Sequence, residues 1–174
     1  MDKIIFFEDY PTERCAGDNY YAFIDYAFEN TDYFMLVYVN YYNEGYSKKM
    51  KYFKKILEKY KVKSRSNPSW AGVPAVKCPN TTYKIVFYKT DPEAKEILKQ
   101  VDRLSAWSRP DYPEDLTFFK GNQCWFYSVG HESIGVIIHA SKTDLDFVDS
   151  LKLAKREDAM PYDSYYDACD EELE

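Results

Sequence analysis

Four cysteines and two histidines are the residues of this 174-residue chain best suited to nucleophile, base or metal-ligand chemistry. Cys124 lies in the run 123–129, and His131 with Glu132 follows directly in Gly130-His131-Glu132-Ser133. A thiol beside an imidazole that a carboxylate orients is how a cysteine nucleophile is activated. The same four residues also read as a plain polar turn, since Gly and Ser favour tight turns. His139 ends the apolar run 134–139, where a base, a ligand and a strand-ending polar residue look alike. The cysteines, Cys15, Cys78, Cys124 and Cys169, stand 63, 46 and 45 residues apart, without C-x-x-C or zinc-ligand spacing. None of the signatures G-x-x-x-x-G-K-[ST], G-x-G-x-x-G, H-E-x-x-H or G-x-S-x-G occurs. No metal, no cofactor and no catalytic residue is therefore expected, and a Cys124/His131 thiol enzyme is the minor alternative.

Binding chemistry is better represented. The chain holds 18 Tyr, and its charge is blocked along the sequence. Residues 1–45 carry nine acids against Lys3 and Arg14, residues 46–63 carry eight Lys against Glu58, and residues 157–174 carry eight acids and no base. The last segment interleaves acid with tyrosine at Tyr162, Asp163, Tyr165, Tyr166, Asp167, Asp170, Glu171 and Glu172. Tyr21, Asp25, Tyr26 and Glu29 repeat that chemistry near the N-terminus. Acid with aromatic area suits a basic partner surface, so the first expectation is a non-catalytic protein-binding module. An acidic inhibitor of a basic or nucleic-acid-binding protein, of immunity or anti-defence type, is its sharpest form. A bacterial housekeeping or regulatory domain with a self-docked tail is the alternative. In that reading the tail lies on the basic segment 46–63. Lys48, Lys49, Lys51, Lys54, Lys55 and Lys59 cover one side of that segment, which reads as a solvated helix face or as a surface for an anion.

These residues need elements to position them. Residues 3–7 read as a short strand, and Tyr20, Phe23, Ile24, Ala27 and Phe28 share one helical face that Asp18 is placed to cap. The run 33–41 is almost continuously apolar, which marks a strand buried on both faces. Met50, Phe53, Leu57 and Tyr60 give the basic segment a narrow apolar stripe over 46–60. Residues 61–81, with Pro68, Pro74 and Pro79, read as a long loop with a short edge strand near Val62. A strand follows over 82–89, then a helix that Asp91 caps and Pro92 opens. Strands at 116–119, 123–129 and 134–139 form a meander, and Ser141 opens a last helix with capping-box spacing to Asp144. The order predicts α+β: one mixed sheet, about four helices packed on it and a C-terminal antiparallel meander. Residues 1–155 make the domain and 156–174 an acidic tail.

At 45% apolar and 30% charged, the chain is neither a disordered polyampholyte nor a membrane protein. Its longest apolar window, 33–39, is too short to span a bilayer, and residues 1–8 do not make a signal peptide. A cytoplasmic protein with reduced thiols is expected. The net charge of −6 argues against direct nucleic-acid binding by the whole chain.

From Trp107 onward the residues are more specific: Trp107, Pro113-Glu114-Asp115-Leu116, Phe118-Phe119, Trp125-Phe126, His131-Glu132 and Ser141, with Asp32-Tyr33-Phe34 earlier. This scattered set resembles small Gram-positive bacterial proteins labelled stage III sporulation protein AH. The resemblance implies a soluble bacterial α+β domain of unassigned role and carries no catalytic residue with it.

Overall fold

The computed structural model describes residues 3–7, 15–66, 68–74, 78–153, 155–158 and 170–174. They form β1 (Lys3–Phe7), α1 (Asp18–Asn30), β2 (Tyr33–Asn40), α2 (Lys48–Leu57), β3 (Lys61–Arg65), β4 (Thr82–Lys89), α3 (Pro92–Leu98), β5 (Glu114–Lys120), β6 (Gln123–Val129), β7 (Ile134–Ile138), α4 (Lys142–Ser150) and β8 (Lys155–Asp158). The class is α+β in a single domain, with one eight-stranded sheet in the order β3-β4-β2-β5-β6-β7-β1-β8. Every ladder is antiparallel, so the sheet has none of the parallel pairing that the word mixed allows. The early β-α-β-α alternation does not build a parallel unit, because β1 leaves β2 and pairs between β7 and β8.

Local chemistry explains the elements. Asp91 accepts from Glu93 N and Pro92 opens α3. Ser141 and Asp144 complete a reciprocal capping box on α4. At α1 the cap differs from the sequence reading: Gly17 holds the N-cap position and Asp18 is the first helical residue, where its charge suits the dipole. α2 starts at Lys48, two residues inside the expected 46–60 span, capped by Ser47 whose side chain accepts from Met50 N, and the helix ends in a tighter turn at Glu58–Tyr60.

The sheet divides the core. On one face Phe34, Leu36, Tyr38, Val86, Tyr88, Phe118 and Phe126 meet residues of all four helices, among them Phe23, Phe53, Leu98 and Val148. Two buried hydroxyls, Tyr38 and Tyr88, satisfy each other there at 2.8 Å. On the other face Met35, Val37, Val39, Ile85, Phe87, Phe119, Cys124, Tyr127 and Val136 are covered, among the described residues, by Trp70, Ala71, Val73 and Leu173. Gly72 lets that cover lie close, since a Cβ there would stand 2.5 Å from the Tyr127 ring at a φ of +80°. β2 is buried from Phe34 to Val39, as its unbroken apolar run requires. No helix among the described residues is long and apolar enough to cross a membrane.

Two features differ from the sequence reading. Residues 155–158, assigned mostly to a patternless tail, pair with β1 as an edge strand. The last five residues pack against the sheet, with Glu171 buried. Backbone pairing needs no hydrophobic periodicity, so an edge strand of charged residues leaves no pattern to read.

Candidate functional site

The Cys124/His131 pair is not assembled. Cys124 is buried on the second face at the start of β6, whereas His131 lies exposed in the turn after its far end. Seven residues of mostly extended chain put them roughly 20 Å apart. His131 lies 3.7 Å from its neighbour Glu132. His139 is exposed after β7. Cys15, Cys78 and Cys124 are unbridged thiols. Among the described residues no group of His, Cys, Asp and Glu could hold a metal ion.

The acid–tyrosine set of α1 is largely used inside the molecule. Asp25 contacts Lys99 at 2.6 Å and Lys95 at 3.3 Å. Burial works against its charge, but the bonds to these lysines prevail and hold the carboxyl below its usual range. Tyr26 donates to Asp144 at 2.7 Å and stacks on Phe147 with centroids 3.9 Å apart. Tyr21 is half-buried against the helix-side core. Glu29 alone of this set is exposed.

Tyr162, Asp163, Tyr165, Tyr166 and Asp167 lie outside the described residues. Asp170, Glu171 and Glu172 belong to a docked terminus. Arg65 grips Glu171 with Nη2 2.6 Å from Oε1 and Nε 3.2 Å from both carboxylate oxygens. The Glu171 backbone N–H donates to Asn122 O, and the N–H groups of Leu173 and Glu174 donate to Asn122 Oδ1. Asp170 accepts from Cys124 N, and Glu172 O accepts from Lys63 Nζ. Of the expected basic segment 46–63, only Lys63 takes part among the described residues. The reason is steric: α2 packs on the first face of the sheet and Leu173 on the second.

Docking brings Glu174 to Asp32 and Asp91 at one end of the sheet. A shallow cleft of about 430 Å³ is lined by Asp32, Tyr33, Lys89, Thr90, Asp91, Pro92 and Glu174. Asp32 bonds Gly121 N at 2.7 Å, which ties this cleft to the β5–β6 turn where the terminus is anchored. Exposed Asp170 and Glu172 belong to the same anchored terminus, and Glu29 lies three residues before Asp32. The half-buried Tyr33 phenol is pushed up, first by burial and then by the charges of Glu174 and Asp32. Acid and tyrosine thus meet here, through Asp32 and Tyr33, which were not singled out as site residues in the sequence. Only the fold brings the C-terminus to them.

Sequence reasoning also missed the adjacent buried carboxylates Glu114 and Asp115, 3% and 1% exposed. Asp115 accepts from Trp70 Nε1 at 2.8 Å and from Gly130 N at 2.9 Å. Glu114 accepts from Tyr41 at 3.0 Å and lies 3.2 Å from Arg109 Nε. Burial, then the charge of Glu114, pushes Asp115 up to about 7, although the two N–H bonds favour its anion. Glu114 is raised by burial as well, against the pull of Arg109. A carboxyl whose folded value is raised contributes stability that is complete below its unfolded value, near 4, and is lost as pH rises through about 7. Asp25, Glu58, Glu93 and Asp144 are held low and lose their contributions only at more acid pH. Unfolding midpoints in urea should therefore rise between about pH 7 and pH 5, and Asp115→Asn should flatten that slope. An Asn variant that keeps the full slope would show that Asp115 is not the group responsible.

Behind this pair a larger cleft, about 640 Å³, is lined by Lys49, Arg103, Ser105, Arg109, Tyr112 and His131 among others. Arg109 is engaged by Glu114, and Lys49 lies over the Tyr112 ring at 4.4 Å. The basic-helix residues Lys48, Lys49, Lys51 and Lys55 are exposed on α2, Lys54 is half-buried, and Lys59 follows in the terminal turn, paired to Glu93 at 2.7 Å.

The fold defines an α+β domain with a basic helix, α2, among the helices on one face of its sheet and an acidic terminus docked on the other. No family model, no curated protein and no solved structure matches the chain. The residues behind the resemblance to proteins labelled stage III sporulation protein AH are mostly core: Trp107, Leu116, Phe118, Phe119, Trp125 and Phe126 are all buried.

Proposed function

We propose that this chain is a non-catalytic protein-binding module that engages a basic partner surface through the acidic end of its sheet. The observation that carries this reading is the docked terminus. Arg65 and Asn122 hold residues 170–174 in place, so that Glu174 lies beside Asp32 and Tyr33, with exposed Glu172 two residues before it, without an ordering cost on binding. A partner with clustered Lys or Arg fits that charge, as an inhibitor of a nucleic-acid-binding protein would require. Tagged protein in lysate of the source organism should retain a basic protein at low salt and release it at moderate salt. The double variant Glu172→Lys, Glu174→Lys, which leaves the Arg65 contact intact, should fail to retain it. Retention unchanged by the variant overturns the proposed surface.

The bidentate Arg65–Glu171 contact favours a second reading, a housekeeping or regulatory domain whose tail is structural only. That reading gains if nothing is retained above the tag control while loss of the Glu171 contact destabilises the fold.

A further inference from the structure

Helix α2 carries more cations than its own stability asks for: Lys54 and Lys55 suit its last turn, but the others do not. Lys48 and Lys49 occupy its first turn, which holds no acid, so they oppose the positive end of the helix dipole. Lys48–Lys51, Lys51–Lys54, Lys51–Lys55 and Lys55–Lys59 are like-charge pairs at i,i+3 or i,i+4 spacing, each unfavourable. Six other lysines, Lys59, Lys61, Lys95, Lys99, Lys142 and Lys155, each lie within 4 Å of a carboxylate. Lys48, Lys51, Lys54 and Lys55 have no such partner among the described residues, and the described acidic terminus lies across the sheet from them. Residues that break local rules without a structural return mark function.

The face has shape as well as charge. Lys48, Lys51, Tyr52 and Lys55 share one stripe, recurring at each helical turn, and the Tyr52 side chain is 47% exposed. Beside it an open groove of about 400 Å³ is lined by Tyr46, Lys51, Lys54, Lys55 and Glu58. Its one acid, Glu58, is already met by Lys61 at 3.0 Å. An entering carboxylate would therefore face three ammonium groups and a tyrosine.

We infer that the α2 face is a docking surface for a second protein, one that presents a row of carboxylates along a helix or extended segment. A protein segment is favoured over nucleic acid because the helix holds no Arg to read base edges and the net charge of −6 opposes an extended phosphate backbone. A membrane is disfavoured because Met50, Phe53 and Leu57 are consumed by the core, leaving no apolar stripe to insert. This surface is independent of the acidic end, and its partner has the opposite charge.

The probe is a fluorescently labelled glutamate homopolymer, titrated with the full chain at low and moderate salt. Binding should be measurable at low salt and weaken with added salt. The double variant Lys51→Gln, Lys55→Gln should bind about five- to tenfold more weakly, while Lys142→Gln, removed from a paired lysine, should not differ. The substitutions relieve repulsion at Lys51 and remove one favourable last-turn charge at Lys55, so the double variant should melt close to the parent. Glu172→Lys, which tests the acidic end, should leave homopolymer binding undiminished. The inference is overturned if the homopolymer fails to bind, if the lysine variant binds as well as the parent, or if it melts markedly lower. Tighter binding of a single-stranded oligonucleotide or of anionic vesicles than of the homopolymer would overturn it equally.

Discussion

Gly130→Ala should cost about 4 kcal/mol or more, among the largest effects available from a single methyl group. A Cβ at this position would stand 2.1 Å from the Trp107 carbonyl oxygen and 2.9 Å from Ser108 Cβ. Neither neighbour can move cheaply. Trp107 is fully buried, its indole N–H donates to the Tyr20 hydroxyl at 2.9 Å, and its carbonyl accepts from Asp115 N at 3.1 Å. Any shift would also break the Gly130 N–H bond to Asp115, leaving a buried carboxylate short of a donor. Gly121→Ala is the control. It has a positive φ of +55° but no atom nearer than 3.6 Å, so it should lose only about 1 kcal/mol. Urea unfolding of both variants measures the difference, and a Gly130 variant within about 1 kcal/mol of the parent would refute this packing.

The second large effect lies at the C-terminus. Glu171→Ala should cost about 3 kcal/mol, since it strands a guanidinium that is only 21% exposed. Among the described residues Arg65 Nη1 is already buried without a hydrogen-bond partner, and after the change Ser69 O alone would remain to Nη2. Glu171→Gln keeps the shape and one acceptor and should cost about 1 kcal/mol. Equilibrium unfolding with both variants decides whether the terminus belongs to the fold. If Glu171→Ala unfolds within about 0.5 kcal/mol of the parent, residues 170–174 add nothing to it. A large loss would also strengthen the reading in which the tail serves structure alone, so the same variant bears on function.

Much of the architecture was legible because its causes are local. Asp91-Pro92-Glu93 and Ser141 with Asp144 announce helix starts through bonds closed within three residues, and both caps are formed. The apolar run of β2 and the meander β5-β6-β7 depend on pattern and short turns. The short edge strand expected near Val62 is β3. The purpose of the residues after it was not visible: Trp70 and Ala71 roof the second face of the sheet. The cap at α1 was misread by one residue, since Gly17 contributes backbone and not a side chain.

The candidate surfaces divide in the same way. Composition and spacing alone determined the α+β class, the single domain, the basic helix and the acidic character of the C-terminus, because burial pattern, capping and net charge are properties of neighbouring residues. Tertiary structure alone decided which charges remain uncompensated. It spent Asp25 on Lys95 and Lys99, and Tyr26 on Asp144, partners 70 or more residues away in sequence for Asp25 and 118 away for Tyr26. It put Glu171 against Arg65 on the face opposite α2, buried Glu114 and Asp115 side by side, and left Lys48, Lys51, Lys54 and Lys55 with no carboxylate within 4 Å among the described residues. Ion pairing is long-range in sequence and short-range in space, falling away over a few ångströms of contact. Which carboxylate finds which ammonium group is therefore settled only when the sheet brings distant strands together.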